Sequence, residues 1–240
     1  AEHSARYHHV ATFLVRAGYA VIAIDARGHG RSAGVRGHVS SFDEYPRDFD
    51  LIVGEAEKRW PDRHLVVLGH SNGGLISLHH ALMSPGRIAA YAITSPFCGL
   101  KVKVPAPKAI AGKLMSRVWP TLSLPTGLDP GLVSHDKAVV KLYAEDPLNL
   151  KVASSRWFTE TLAAHAELLE RARTITAPFL FLVSGDDGVT DAAVSEEVYH
   201  RLGSADREFE LLPGLFHEAL NEAGWEDLMR KIVQWFERFR

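Results

Sequence analysis

Residues 64–74 constrain the fold more than any other stretch of the chain. His64-Leu65-Val66-Val67-Leu68-Gly69 is a short apolar run that breaks directly into Gly69-His70-Ser71-Asn72-Gly73-Gly74, and a helical pattern begins at Leu75 and runs to Met83. A buried strand that turns within a few residues into a helix belongs to an α/β architecture, with helices packed on the faces of a mostly parallel sheet. Glycines on both sides of Ser71 allow the turn to be tight. Such a turn lifts the serine hydroxyl clear of the main chain and aims the unpaired N–H groups of a helix start at the space beside it. The G-x-S-x-G spacing in this strand-to-helix setting makes Ser71 the candidate nucleophile and the backbone N–H of Asn72 a candidate oxyanion donor. A glycine-rich turn without chemistry is the plain alternative, and the flanking strand and helix weigh against it. His70 reads as a packing residue, because neighbours across a tight turn point apart.

The same alternation continues on either side. Tyr7 to Ala17 has helical spacing closed by Gly18, Tyr19 to Ile24 reads as a buried strand, and Asp43 to Trp60 as a helix stopped by Pro61. Ala89 to Thr94, Pro178 to Ser184 and Glu208 to Leu212 read as further strands, and Trp225 to Phe239 as a closing amphipathic helix. Between Phe97 and Thr176 the rhythm changes to prolines and amphipathic pieces such as Trp157 to Arg173, with no clear strand. The expected organisation is therefore a core in two parts, 1–96 and 177–240, with a helical cap inserted at 97–176. An insertion between two sheet strands leaves the core pairing intact.

A serine nucleophile needs a base and a carboxylate to orient it, and in α/β chains these follow the serine at the ends of later strands. Ser184-Gly185-Asp186-Asp187-Gly188-Val189 and Pro213-Gly214-Leu215-Phe216-His217-Glu218 stand at those places. His217 is the candidate base; Asp186 and Asp187 both qualify by type as its acid. Asp25 also ends a strand but precedes the serine, and reads as structural.

Composition narrows the alternatives. With 240 residues, 46% of them hydrophobic, the chain can bury one sizeable core. Its net charge is −2 and its charges are scattered, so it lacks the electrostatic footprint of a nucleic-acid binder. The single Cys98 excludes an internal disulfide framework and fits a reducing, cytoplasmic setting. No run approaches the ~20 apolar residues of a membrane span, and residues 1–6 show no secretory leader. His8-His9 and His79-His80 are adjacent pairs rather than metal-ligand spacings, and no phosphate-binding glycine loop is present, so neither metal nor cofactor is expected.

Several motifs together carry a resemblance. Glu2-His3-Ser4-Ala5-Arg6-Tyr7, Asp25-Ala26-Arg27-Gly28-His29-Gly30-Arg31-Ser32, Gly34 to Val39, Ser41 to Tyr45, Gly69 to Gly74, Tyr143 to Leu148 and His217 to Glu222 resemble the monoacylglycerol lipase and lysophospholipase family of α/β-hydrolases, with a serine aminopeptidase S33-like domain. That resemblance implies an α/β-hydrolase fold and covers nearly the whole chain. Its acid loop is similar to Gly185–Asp191, shortened by one residue, which implies Asp187 rather than Asp186 as the catalytic acid. It also implies a mobile cap lining an acyl-chain tunnel, with Leu100, Val102, Val104, Leu114, Trp119 and Leu124 as candidates, and makes the cap a candidate for peripheral membrane contact. Asn72 departs from the methionine or glutamine common there; its side chain is expected to find a partner. The resemblance further places a central strand and the second oxyanion donor before Ala1, so the chain is expected to be part of a longer one with its N-terminal strands missing.

The function implied is hydrolysis of monoacylglycerols, lysophospholipids or similar single-acyl esters through Ser71, His217 and Asp187. A peptidase or amidase using the same three residues, and a non-catalytic ligand-binding relative of the fold, are the other readings.

Overall fold

Four segments line up as one parallel sheet in the spatial order β1 (Val66–His70), β2 (Ala90–Thr94), β5 (Phe179–Ser184) and β6 (Arg207–Leu212). The intervening β3 (Ser123–Pro125) and β4 (Val152–Ser154) form a separate antiparallel pair. The structure is a computed structural model that describes residues 2–101 and 106–240, the side chains of 106–108 excepted. The eight α-helices among the described residues are α1 (His8–Arg16), α2 (Glu44–Arg59), α3 (Asn72–Met83), α4 (Ala106–Val118), α5 (Lys137–Glu145), α6 (Ser155–Arg171), α7 (Ala192–Arg201) and α8 (Trp225–Glu237).

Side chains alternate across the central strands, so both faces need helices. Tyr91 and Ile93 of β2, with Phe179, Phe181 and Val183 of β5, join one core under α2, α3, α6 and α7. Ala90 and Ala92, with Leu180 and Leu182, join a second core under α1 and α8. The apolar stripe of α8, Leu228, Met229, Ile232, Trp235 and Phe236, meets that second core because these residues recur at 3.6-residue spacing. Strands buried on both faces are what βαβ connections produce.

Two expectations are corrected. Tyr19 to Ile24 forms no strand, although its composition is strand-like. A strand exists only through a ladder about 4.8 Å away, and among the described residues nothing pairs with this segment. A cavity is lined by it on one side and by Val66–Leu68 of β1 on the other, and Ile22 and Ile24 stay exposed. The middle of the chain also carries two strands where none was expected: three residues each, with Leu124 paired to Ala153, too short for alternation to be read.

Candidate active site

The turn between β1 and α3 places Ser71 at φ 50° and ψ −118°, a left-handed conformation that costs a non-glycine residue about 1–3 kcal/mol. The chain reverses here because its neighbours lack side chains. A Cβ on Gly69 would lie 2.7 Å from Ser77 Oγ and 2.8 Å from the Gly73 carbonyl, and one on Gly74 would lie 2.8 Å from Pro96 Cβ. Gly73, by contrast, has nothing within 4 Å of such an atom. The steric requirement therefore falls on Gly69 and Gly74, not on Gly73.

The Ser71 hydroxyl lies 2.9 Å from His217 Nε2, and His217 Nδ1 lies 2.8 Å from Asp187 Oδ2. Those partners set the tautomer: Nδ1–H donates to the carboxylate, leaving Nε2 to accept from the serine. Asp187 and His217 are both buried. Burial alone would raise the Asp187 carboxyl, but the bond and charge of His217 and the N–H and O–H of Thr190 outweigh it and hold the pKa below the usual range. The N–H of Val189 adds a further bond of 2.7 Å. Asp186, one residue earlier, is exposed, with its own N–H bonded to the Leu215 carbonyl. The structure thus brings Ser71, His217 and Asp187 together and leaves Asp186 outside.

Asn72 opens α3, where the first-turn N–H groups have no partner within the helix. Its side chain does not find the expected partner: Oδ1 is buried and makes no hydrogen bond among the described residues. The second oxyanion donor expected before Ala1 lies outside the described residues. Asp25 is structural, as expected, accepting the N–H groups of Ser4 and Arg31 at 2.7 Å each.

The cavity that separates Tyr19–Ile24 from β1, about 1570 Å³ in all, extends to Ser71 and His217. Of the expected tunnel residues, Leu100 and Leu124 line it. Val102 and Val104 lie outside the described residues. Leu114 and Trp119 are corrected: they face outward and are exposed, because α4 turns Ala111, Gly112 and Met115 to the cavity instead.

Sequence reasoning missed the surroundings of the base. His70 lies with its ring 4.8 Å from that of His217, centroid to centroid, rather than pointing away. Arg6 reaches Glu218, the residue after His217, with two N–H···O bonds of 2.7 Å, and its guanidinium lies 4.7 Å above the Tyr143 ring. Arg6 also pairs with Glu2, whose carboxylate accepts from Tyr7 Oη at 2.6 Å. The four-residue spacing of Glu2 and Arg6 could have signalled their own ion pair, but nothing local signals the bond from Arg6 to Glu218.

Residues 1–224 match the family model described as serine aminopeptidase, S33. The chain belongs to that family. A monoacylglycerol lipase of Mycolicibacterium smegmatis is 32% identical over 236 residues, covering 98% of this chain and 84% of that protein. An abhydrolase domain-containing protein of Dictyostelium discoideum is 33% identical over 241 residues; this chain spans 98% of its own length there but only 25% of that larger protein. The crystal structure of a Paleococcus ferrophilus monoacylglycerol lipase superposes with a TM-score of 0.91 at 32% identity, covering all of this chain and 91% of that one. This S33 member is an α/β-hydrolase of the monoacylglycerol lipase type and a serine hydrolase in class. Among the described residues, no cluster of His, Cys, Asp or Glu is arranged to hold a metal, and no helix is long and apolar enough to cross a membrane.

Proposed function

We propose that this hydrolase cleaves monoacylglycerols, lysophospholipids or similar single-acyl esters, with Ser71 as nucleophile, His217 as base and Asp187 as orienting acid. The observation that carries the reading is the continuous hydrogen-bonded line Ser71–His217–Asp187, bordered by apolar cavity walls from Phe97, Leu100, Leu124 and Trp157. Ser71 Oγ attacks the ester carbonyl carbon while His217 Nε2 takes its proton, and the Asn72 N–H stabilises the oxyanion. Collapse of the tetrahedral adduct breaks the acyl–oxygen bond, and His217 returns the proton to the leaving alcohol. Water, deprotonated by the same imidazole, then attacks the acyl-enzyme and releases the fatty acid and free Ser71. Asp187, ionised by virtue of its lowered pKa, holds the ring and balances the imidazolium.

Residues 97–176 act in this reading as a cap over the cavity. The outward face of α4 rests against lipid, which puts the protein at membrane surfaces from the cytoplasmic side. The test is labelling with a fluorophosphonate followed by turnover of a monoacylglycerol, lysophosphatidylcholine and a p-nitroanilide. Labelling lost in Ser71→Ala, with fatty acid released from the lipids, is the expected result. Release of p-nitroaniline without lipid turnover would move the reading to amide bonds, and a folded protein that never labels would make it a binder.

A further inference from the structure

Glu222 is buried yet takes no part in the line from Ser71 to Asp187. A carboxylate removed from water is costly unless it is well bonded, and this one accepts from a dense set of donors. Its Oε1 receives His135 Nδ1 at 2.9 Å and the backbone N–H of Phe216 at 3.2 Å; its Oε2 receives Ser134 Oγ at 3.0 Å; and the His135 N–H lies 3.1–3.2 Å from both oxygens. These donors come from two places. Ser134 and His135 stand just before α5, within the segment assigned to the cap, while Phe216 immediately precedes His217. The His135 ring also stacks on that of Phe216, 3.7 Å between centroids.

The seam continues on both sides of the carboxylate. The N–H groups of His217 and Glu218 donate to the carbonyls of Leu132 and Val133 at 3.3 and 2.8 Å. Leu132 also presses on the acid loop, so closely that a Cβ on Gly188 would lie 2.8 Å from its Cδ2. Residues 132–135 therefore touch the loops of both His217 and Asp187, and among the described residues Glu222 is the one side chain that bonds to that strap and to the base loop at once.

We propose that Glu222 is a positioning residue, which fixes the His217 loop against the Leu132–His135 strap and so sets the reach of the imidazole to Ser71. The proposal rests on His217 acting as the base. A displacement of about 1 Å in a reacting group can cost up to a hundredfold in rate, so loosening this grip should act on turnover rather than on substrate binding. His135 and Phe216 meet no reacting atom in this scheme; they transmit position only.

The experiment titrates the reactive serine with a fluorophosphonate in wild type and variants, then measures kcat and KM for a monoacylglycerol per titrated site. Glu222→Ala should lower kcat per site by about tenfold with KM within about twofold, and Glu222→Gln, which keeps an acceptor for the Phe216 N–H, should restore most of it. A purely structural role would reduce the number of titrated sites and leave kcat per site as in wild type, which would overturn the proposal; a rise in KM with unchanged kcat would overturn it too. If Glu222→Ala does not fold, Ser134→Ala/His135→Ala removes the two side-chain donors of the strap, leaving the backbone N–H of residue 135 and Glu222 in place, and unchanged kcat per site in that variant is equally fatal. A wild type that neither labels nor turns over would instead sink the hydrolase reading itself.

Discussion

The imidazole of His70 packs 4.8 Å from that of His217, yet the two rings have opposite duties. His70 donates from Nδ1 to the Thr94 carbonyl at 3.1 Å, and burial, reinforced by its neighbour His217, pushes its pKa down to about 3. It is therefore neutral wherever the protein is folded and active. Histidine titration by NMR should show no protonation of His70 between pH 5 and 8, and the acid limb of the pH–rate profile should stay in place in His70→Asn. A limb that moves in that variant would mean that the ring beside the base carries charge.

Asp186 and Asp187 are neighbours in sequence with the same chemistry, and only their surroundings differ. Asp187 is enclosed by His217, Val189 and Thr190, whereas Asp186 faces solvent. Asp187→Asn should lower kcat roughly 10³- to 10⁴-fold by favouring the wrong imidazole tautomer, while Asp186→Asn should stay within about twofold of wild type, as surface changes usually do. Ester hydrolysis rates of the two purified variants decide the matter, and equal losses would undo the assignment.

The glycines of the turn are not equivalent. Gly73→Ala enters open space inside a helix and should be neutral or stabilising by up to about 1 kcal/mol. Gly69→Ala drives a methyl against the Gly73 carbonyl and Ser77 Oγ, so it should cost about 1–3 kcal/mol and most of the activity. Urea denaturation midpoints with parallel ester assays compare the pair; a tolerated Gly69→Ala would show that the turn can relax.

What was legible in the sequence was local or repeated. The turn at Ser71 could be read because strand, glycines and helix lie within about twenty residues, and β2 and β5 because continuous apolar runs bury both faces. His217 followed from strand ends. Tyr19 to Ile24 misled because composition reports a preference for strand but not the presence of a partner. The pairing of β3 with β4 joins segments about thirty residues apart through three residues each, below the length at which alternation shows. The role of Arg6 is invisible for the same reason: its motif could be quoted, but its carboxylate partner Glu218 lies 212 residues away. Outward-facing Leu114 and Trp119 show the limit of hydrophobicity alone, which cannot distinguish a cavity wall from a surface.

Five histidines are held below their ordinary pKa, chiefly by burial: His29 and His165 down to about 4, His70 to about 3, and His79 and His80 in the same direction. The unfolded chain binds these protons near pH 6.5 and the folded one resists them. Their contribution is therefore intact above about pH 6.5 and is lost as pH falls toward 4, by at most about 1.4 kcal/mol per pH unit for each histidine. Urea midpoints should be level from pH 8 to 7 and decline steadily from 6.5 to 4.5, and His79→Gln/His165→Gln should flatten that decline. A midpoint constant from pH 7 to 5 would contradict the linkage.

Helix α4 presents Ile110, Leu114 and Val118 at four-residue intervals, 68%, 57% and 71% exposed, and Trp119 beside them is 58% exposed. Lys113 and Arg117 are exposed on the same helix. A single row of aliphatic side chains flanked by a tryptophan and two cations matches an interfacial helix that dips its apolar face into the acyl boundary while its charges meet anionic headgroups. Gly112, on the opposite side of the helix, and Met115, on the flank between, line the cavity instead. Leu114→Asp/Val118→Asp should at least halve the fraction that floats with anionic vesicles and raise KM for vesicle-borne monoacylglycerol, while hydrolysis of p-nitrophenyl butyrate in solution stays unchanged. Binding should also weaken as salt rises, because headgroup attraction is screened. Equal flotation of wild type and variant would leave the row of α4 as ordinary exposed surface.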